Sequence, residues 1–295
     1  MLSIDVGFGN VKSYDGESIG AFPSVYMKAP DSYVPLTDPD EQLLELDGEK
    51  YHVGFTALKI GGLSPFNRED MLRHKIFMLT AICEMVDGKE FSDKIALGLP
   101  ISDYGVMKKH LEQLKGEYDV VYNGRKVHIN IKGISVYAQS EAVYELVTKD
   151  DAKAKEKIIG IVDIGQKTVD FAYFNEGRYV EDRSGSIEQG VINAYQSIAK
   201  AVNEKLGFEI KPFRAKKYIE KVPDDSKAAF EKVASLVKDE LFMRHWNFNE
   251  MDSLYIVGGG TSYIAPYFKD APYKPLDEQT AVFANAYGYY AGEKK

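Results

Sequence analysis

A chain of 295 residues that is 44% hydrophobic and 28% charged, with only 11 Pro, has the composition of a folded globular protein and can form two modest domains or one large α/β domain around a cleft. Its 37 basic and 45 acidic residues give a formal net charge of −8, so the surface on average repels phosphate backbones and anionic membranes, and direct, extensive nucleic-acid binding is disfavoured. The single cysteine, Cys83, excludes an intramolecular disulfide or a cysteine-based zinc site and reads as a small core residue. The N-terminal MLSIDVGFGN lacks the basic and long apolar regions of a leader, and no run of about 18 apolar residues occurs, so a cytoplasmic location with no membrane partner is expected.

Residues 1–26 read as strand, turn, strand, turn, strand: LSIDV, GFGN, VKSY, Asp15-Gly16 and IGAFPSVY, a β-meander. The Pro-rich stretch 27–42 leads into a hairpin, LLELDGEKYHVG, predicted as a small peripheral insertion. Apolar spacing predicts a buried helix over 68–86, followed by a strand KIALGL at 94–99, a helix over 107–114 and a hairpin over 118–137 about Asn123-Gly124. After a charged connector at 149–157 the opening pattern returns as IIGIV, DIGQKT and VDFAYF. Helices are then predicted over 190–206, with Gly207 as its stop, and over 228–241, followed by a strand at 254–257 and a closing helix over 277–291.

The two strand-turn-strand copies are Asp5-Val6-Gly7-Phe8-Gly9-Asn10-Val11-Lys12 and Asp163-Ile164-Gly165-Gln166-Lys167-Thr168-Val169-Asp170. Such a turn exposes backbone N–H groups that hold phosphate oxygens, and glycine lets the ligand approach without a Cβ in the way. An Asp ending the preceding strand would reach Mg²⁺ directly or through water. Each copy alone is also ordinary hairpin composition. Lys12 could reach phosphate as a point charge or be a solvated strand lysine, and Thr168 and Asp170 could equally be a β-forming hydroxyl and an exposed strand carboxylate. The third piece is the strand Leu254-Tyr255-Ile256-Val257, which runs into Gly258-Gly259-Gly260-Thr261-Ser262. A glycine turn at a helix start suits close approach of a nucleotide, or is simply a flexible turn.

In order, Asp-x-Gly-x-Gly-Asn-x-Lys, Asp-x-Gly-x-x-Thr-x-Asp and Val-Gly-Gly-Gly resemble the phosphate-one, phosphate-two and adenosine motifs of the actin, sugar kinase and heat-shock chaperone superfamily. Within it, FGNVK at 8–12, FPS at 22–24, YHVG at 51–54 and GLP at 98–100 resemble the plasmid-segregating ParM group and its archaeal actin-like relatives. The resemblance implies an α/β actin-like ATPase fold, with two ribonuclease-H-like lobes around a nucleotide cleft. The first lobe would span 1–134, rejoined by the C-terminal helix 281–295, and the second 135–280. It implies connecting helices at 136–146 and 278–292, with Gln139 orienting the attacking water and Glu141 a helper. It further implies ATP, with GTP as the alternative nucleotide, and Mg²⁺ held by Asp5, Asp163 and Asp170. The nucleotide would be contacted by Gly7, Phe8, Gly9, Asn10, Lys12, Gly165, Gln166, Lys167, Thr168, Gly190, Gly258, Gly259, Gly260 and Thr261, and by Lys217, with Lys216 and Glu220, in the stretch 213–222. Two departures from the family stand out: Gln166-Lys167 replace small residues, and Ala138 stands where Pro is frequent. The implied function is a filament-forming ATPase whose partners are its own copies and a DNA-binding adaptor, for plasmid segregation or as a cytoskeletal element. A small-molecule (sugar) kinase of the same superfamily and a non-polymerising nucleotide-binding scaffold are the alternatives.

Overall fold

The computed structural model describes residues 1–30, 41–62 and 70–294. The chain divides into two units, one made of Met1–Leu99, Asp103–Ala138 and Asn285–Lys295, the other of Pro100–Ser102 and Gln139–Ala284. Among the described residues no helix is long and apolar enough to cross a membrane.

The first unit is built on a nine-stranded sheet among the described residues. Its order is Ile19–Pro23, Asn10–Tyr14, Leu2–Val6, Glu90–Leu99, Arg125–Ala138, Gly116–Tyr122, Leu43–Leu46, Glu49–Val53 and Tyr26–Lys28. Leu2–Val6 is buried along its whole length, because it lies in mid-sheet, antiparallel to Asn10–Tyr14 and parallel to Glu90–Leu99. Leu2, Ile4 and Val6 share the face that packs on the apolar core, and Ser3 and Asp5 share the other. The predicted helix forms over Met71–Met85, where Asp70 caps the N-terminus by accepting from Arg73 N–H. Ile76, Phe77, Leu79 and Ile82 on that helix join Ile4, Ile95 and Leu97 of the sheet in one core. Cys83 is buried there, and burial pushes its thiol up to about 12.

Three expectations are corrected in this unit. The hairpin Leu43–Leu46 and Glu49–Val53 is no peripheral insertion, since Leu44 and Glu45 pair with Tyr122 and Val121 and extend the main sheet. The strand expected to run to Tyr26 stops at Pro23, and Tyr26–Lys28 pairs instead with Glu49–Val53 at the far edge. The predicted helix over 136–146 starts late. Val136 to Ala138 continue a strand paired in parallel with Leu97 to Leu99, and the helix is Glu141–Thr148. The stretch 31–40 and the predicted helix start at 68–69 lie outside the described residues.

In the second unit Ile158–Ile164 lies between Val169–Asn175, antiparallel, and Ser253–Val257, parallel. Alternate residues of Ile158–Ile164 face two cores. Val162 and Ile164 pack with Ile198 and Val202 of helix Val191–Leu206 and with Val233 and Val237 of helix Pro223–Met243. Ile159 and Ile161 pack with Val143 of Glu141–Thr148. Helix Val191–Leu206 ends at Gly207, which takes the left-handed conformation (φ 75°) expected of a stop glycine. The closing helix, Glu278–Glu293, contributes residues up to Ala284 to this unit and the rest to the first.

Candidate functional site

In the first unit the ladder places Asp5 opposite Lys12, with Lys12 Nζ 3.2 Å from Asp5 Oδ2. Lys12 is thus an ion-pair partner and not a solvated strand lysine. Gly7 has no room for a side chain, since a Cβ would sit 2.9 Å from Asn10 O. The Gly7 carbonyl accepts from Ser24 Oγ at 2.6 Å and from Arg73 Nη2 at 2.9 Å, and Gly9 O accepts from Ser24 N–H at 3.0 Å. Arg73 is 2% exposed and Ser24 fully buried. A trans peptide points its C=O and the following N–H in opposite directions. Holding the Gly7 carbonyl against interior donors therefore turns the Phe8 N–H the other way.

The second unit reaches the same arrangement with different parts. The carbonyls of Gly165, Gln166 and Lys167 accept from the N–H groups of Val191, Ile192 and Gly190. Three consecutive carbonyls are thus held by the start of helix Val191–Leu206, and the N–H groups of Gln166, Lys167 and Thr168 face away from it. This is a nest of donors with the positive end of a helix dipole behind it. Gly190 is needed for this docking, because a Cβ there would collide with Gln166 O. Gly165 repeats the constraint of Gly7, with a Cβ 2.8 Å from Thr168 O. Lys167 Nζ lies 3.4 Å from Glu188 Oε1.

Where the first copy sets Lys12 beside Asp5, the second sets Asp170 opposite Asp163. Asp170, 2% exposed, accepts from Ile101 N–H and Thr168 Oγ1, both at 3.2 Å. Burial and then the charge of Asp163 push its carboxyl from 3.8 to about 7. Asp170 is therefore an interior residue and not an exposed strand carboxylate. Because the folded value is raised, the stabilisation is complete below the unfolded value near 4 and is lost as pH rises through about 7. Asp170→Asn, which cannot ionise, should be more stable than the parent by up to about 4 kcal/mol at pH 8, and the gain should shrink steadily towards pH 4. Thermal unfolding in chelator at several pH values measures it. A gain independent of pH would contradict the shared burial of these carboxylates.

Strand Ser253–Val257 delivers the three glycines beside Asp163. Gly258 is left-handed (φ +88°), donates its N–H to Ala281 O, and is so close to Asp163 that a Cβ would collide with Oδ1. Gly260 packs on Ile164. Gly259 is exposed with nothing near its missing side chain, so of the three it alone offers an open approach. Thr261 Oγ1 donates to Gly258 O at 2.8 Å and holds the turn.

Gln139 is 7% exposed and stands before a γ-turn: Ser140 has φ 64° and ψ −47°, and Glu141 N–H donates to Gln139 O at 2.7 Å. Turns of this hand are rare and strained, and strain of this kind gathers at functional positions. Lys216, Lys217 and Glu220 are exposed on the 3₁₀ segment Pro212–Lys221, which packs between helices Val191–Leu206 and Pro223–Met243. Among the described residues no group of three or more His, Cys, Asp and Glu side chains is arranged to hold a metal ion. Residues the sequence did not single out are Arg73, the γ-turn at Ser140, and Ser24 as a structural clamp, although Ser24 lies in the FPS triplet.

Residues 3–141 match the family model for the N-terminal domain of actin-like proteins, and 161–270 match that of the C-terminal region of the archaeal MreB-like actin homologue. The two matches take in both aspartate turns and the triple glycine. The chain belongs to the actin-like proteins. No curated protein sequence matches this actin-like protein. Among solved structures, the archaeal actin homolog Ta0583 aligns over 100% of both chains at 19% identity with a TM-score of 0.84. Its complex with ADP aligns over 100% of this chain and 99% of that one, at 19% identity and a TM-score of 0.83. A 15-stranded ParM filament from Clostridium botulinum aligns over 99% of this chain and 98% of its own, at 20% identity and 0.84. The fold is the actin-like ATPase fold.

Proposed function

We propose that this actin-like protein binds and hydrolyses a nucleoside triphosphate, ATP before GTP, and that the bound nucleotide controls its assembly into filaments. The observation that carries the reading is the pair of Asp-x-Gly turns, each with its carbonyls tied inward so that N–H groups are presented on the other side. The ADP complex of the archaeal homolog and the ParM filament support it as properties of similar proteins. We take the two units as the two lobes of the fold, and each turn as a phosphate-binding loop.

On this reading the N–H groups of Phe8, Gln166, Lys167 and Thr168 bind phosphate, together with Gly9, Asn10 and Lys12. Gly259 gives the nucleotide close approach, and Lys217 is a candidate contact to the base. Asp5 and Asp163 suit Mg²⁺, which is held through one or two carboxylates with water and phosphate and needs no cage made wholly of protein; it would neutralise the charge on the phosphates. Asp170 sits behind Asp163 and acts on the metal through it. Gln139 orients the water, with its backbone fixed by the γ-turn, since phosphoryl transfer depends on positioning and charge stabilisation. With a net charge of −8, a basic adaptor would join the filament to DNA in plasmid segregation; a cytoskeletal role in the cytoplasm needs none.

Light scattering and electron microscopy with and without Mg-ATP test this function. Filaments should form only with the triphosphate, and Gln139→Ala should assemble while releasing phosphate at about one-hundredth of the parent rate or less. Phosphate release without assembly at any concentration would remove the filament part of the proposal.

A further inference from the structure

Arg73 is the largest fully buried side chain among the described residues, and it stands in the first turn of a helix whose other buried positions are apolar apart from His74 and Thr80. A guanidinium keeps its charge in any protein environment, and burying one is costly unless the fold uses it. Here its Nη2 donates to Gly7 O at 2.9 Å, while its Cζ lies 5.2 Å from the ring centroid of Phe8 and 5.3 Å from that of Phe77. The planar group is thus placed against two aromatic rings and aimed at one carbonyl of the first aspartate turn. Its backbone is fixed independently, since the Asp70 carboxylate that caps the helix at Arg73 N–H also accepts from Tyr26 OH at 3.0 Å.

We infer that Arg73 is a positioning residue for the phosphate bound at the first turn. It holds the Gly7 peptide with its carbonyl inward and the Phe8 N–H outward, and it places a permanent positive charge beneath the turn, on the side away from the ligand. The inference rests on the nucleotide reading above and deepens it. Nothing in the first turn supplies the helix dipole that backs the second, where helix Val191–Leu206 holds three carbonyls. Arg73 with Ser24 does that work in the first unit, so the two turns reach equivalent donor geometry by a side chain in one case and a helix start in the other. Lysine would keep the charge but not the flat, forked donor that fits between the Phe8 and Phe77 rings.

Calorimetric titration of the full chain with Mg-ATP, alongside thermal unfolding, tests it in Arg73→Met and Arg73→Lys. Removing a side chain that orients a ligand-binding group from behind costs about 10- to 100-fold in affinity at metal sites, so Arg73→Met should bind roughly 30-fold more weakly. Arg73→Lys should fall between it and the parent, about 3- to 10-fold weaker. A merely structural arginine would lower the unfolding temperature yet leave the affinity of the folded variants within about twofold of the parent, and that result overturns the inference. If Arg73→Met does not fold, Arg73→Lys decides by the same criterion. Failure of the parent itself to bind Mg-ATP would instead remove the nucleotide reading.

Discussion

Replacing Asp163 by Asn should reduce Mg-ATP hydrolysis by about 10³-fold or more, because several kcal/mol of transition-state charge stabilisation depend on the metal that this carboxylate would hold. The side chain ends a buried strand, lies over Gly258 and faces Asp170, so it cannot be replaced by a neighbour swinging in. The same variant carries a second, independent signature. With the Asp163 charge gone, the Asp170 carboxyl should fall from about 7 towards a value set by burial, which raises it, and by its hydrogen bonds, which lower it. A phosphate-release assay reads the first effect, and the pH dependence of unfolding in chelator reads the second. Full turnover in Asp163→Asn would mean that this carboxylate has no part in metal binding.

The second large effect belongs to the triple glycine, where neighbouring positions should behave oppositely. Gly258→Ala sets a Cβ against Asp163 Oδ1 at a left-handed φ of +88°, and backbone strain together with the clash should cost roughly 2–4 kcal/mol of stability and displace Asp163. Gly259→Ala meets no atom within 4 Å and should change stability by about 0.5 kcal/mol or less. Its effect should instead appear in nucleotide affinity, because the new methyl occupies the open approach. Denaturant unfolding compared with nucleotide titration separates the two, and equal destabilisation at both positions would contradict the geometry.

Much of this was legible in the sequence because it is local. Asp-x-Gly between β-forming runs fixes a tight turn, and the spacing of seven between Asp5 and Lys12, and between Asp163 and Asp170, is the spacing that the ladders turn into opposed pairs. The helix Val191–Leu206 was visible from its apolar stripe and its stop glycine. What escaped was set by distant partners. Val136 to Ala138 suit a helix or a strand, and parallel pairing with Leu97 to Leu99 decides for strand. That choice puts Gln139 at a strained junction and not inside a helix. The hairpin at 43–53 was legible as a hairpin, but not its pairing with Tyr122 and Val121. Arg73 was passed over because an arginine in a helix is ordinarily at the surface, and only the folded turn shows the carbonyl it serves. The place of Gly190 against Gln166 O, which supports the donor loop, was likewise not legible.

The central proposal is that the turns that begin at Asp5 and Asp163 both serve Mg-nucleotide binding. Calorimetric titration of the parent, Asp5→Asn, Asp163→Asn and the double variant tests it most directly. The account predicts one nucleotide per chain, weaker binding in each single variant, and non-additive losses in the double, as for residues that share a ligand. Binding that is unchanged in either single variant, or two independent sites whose losses simply add, would contradict it.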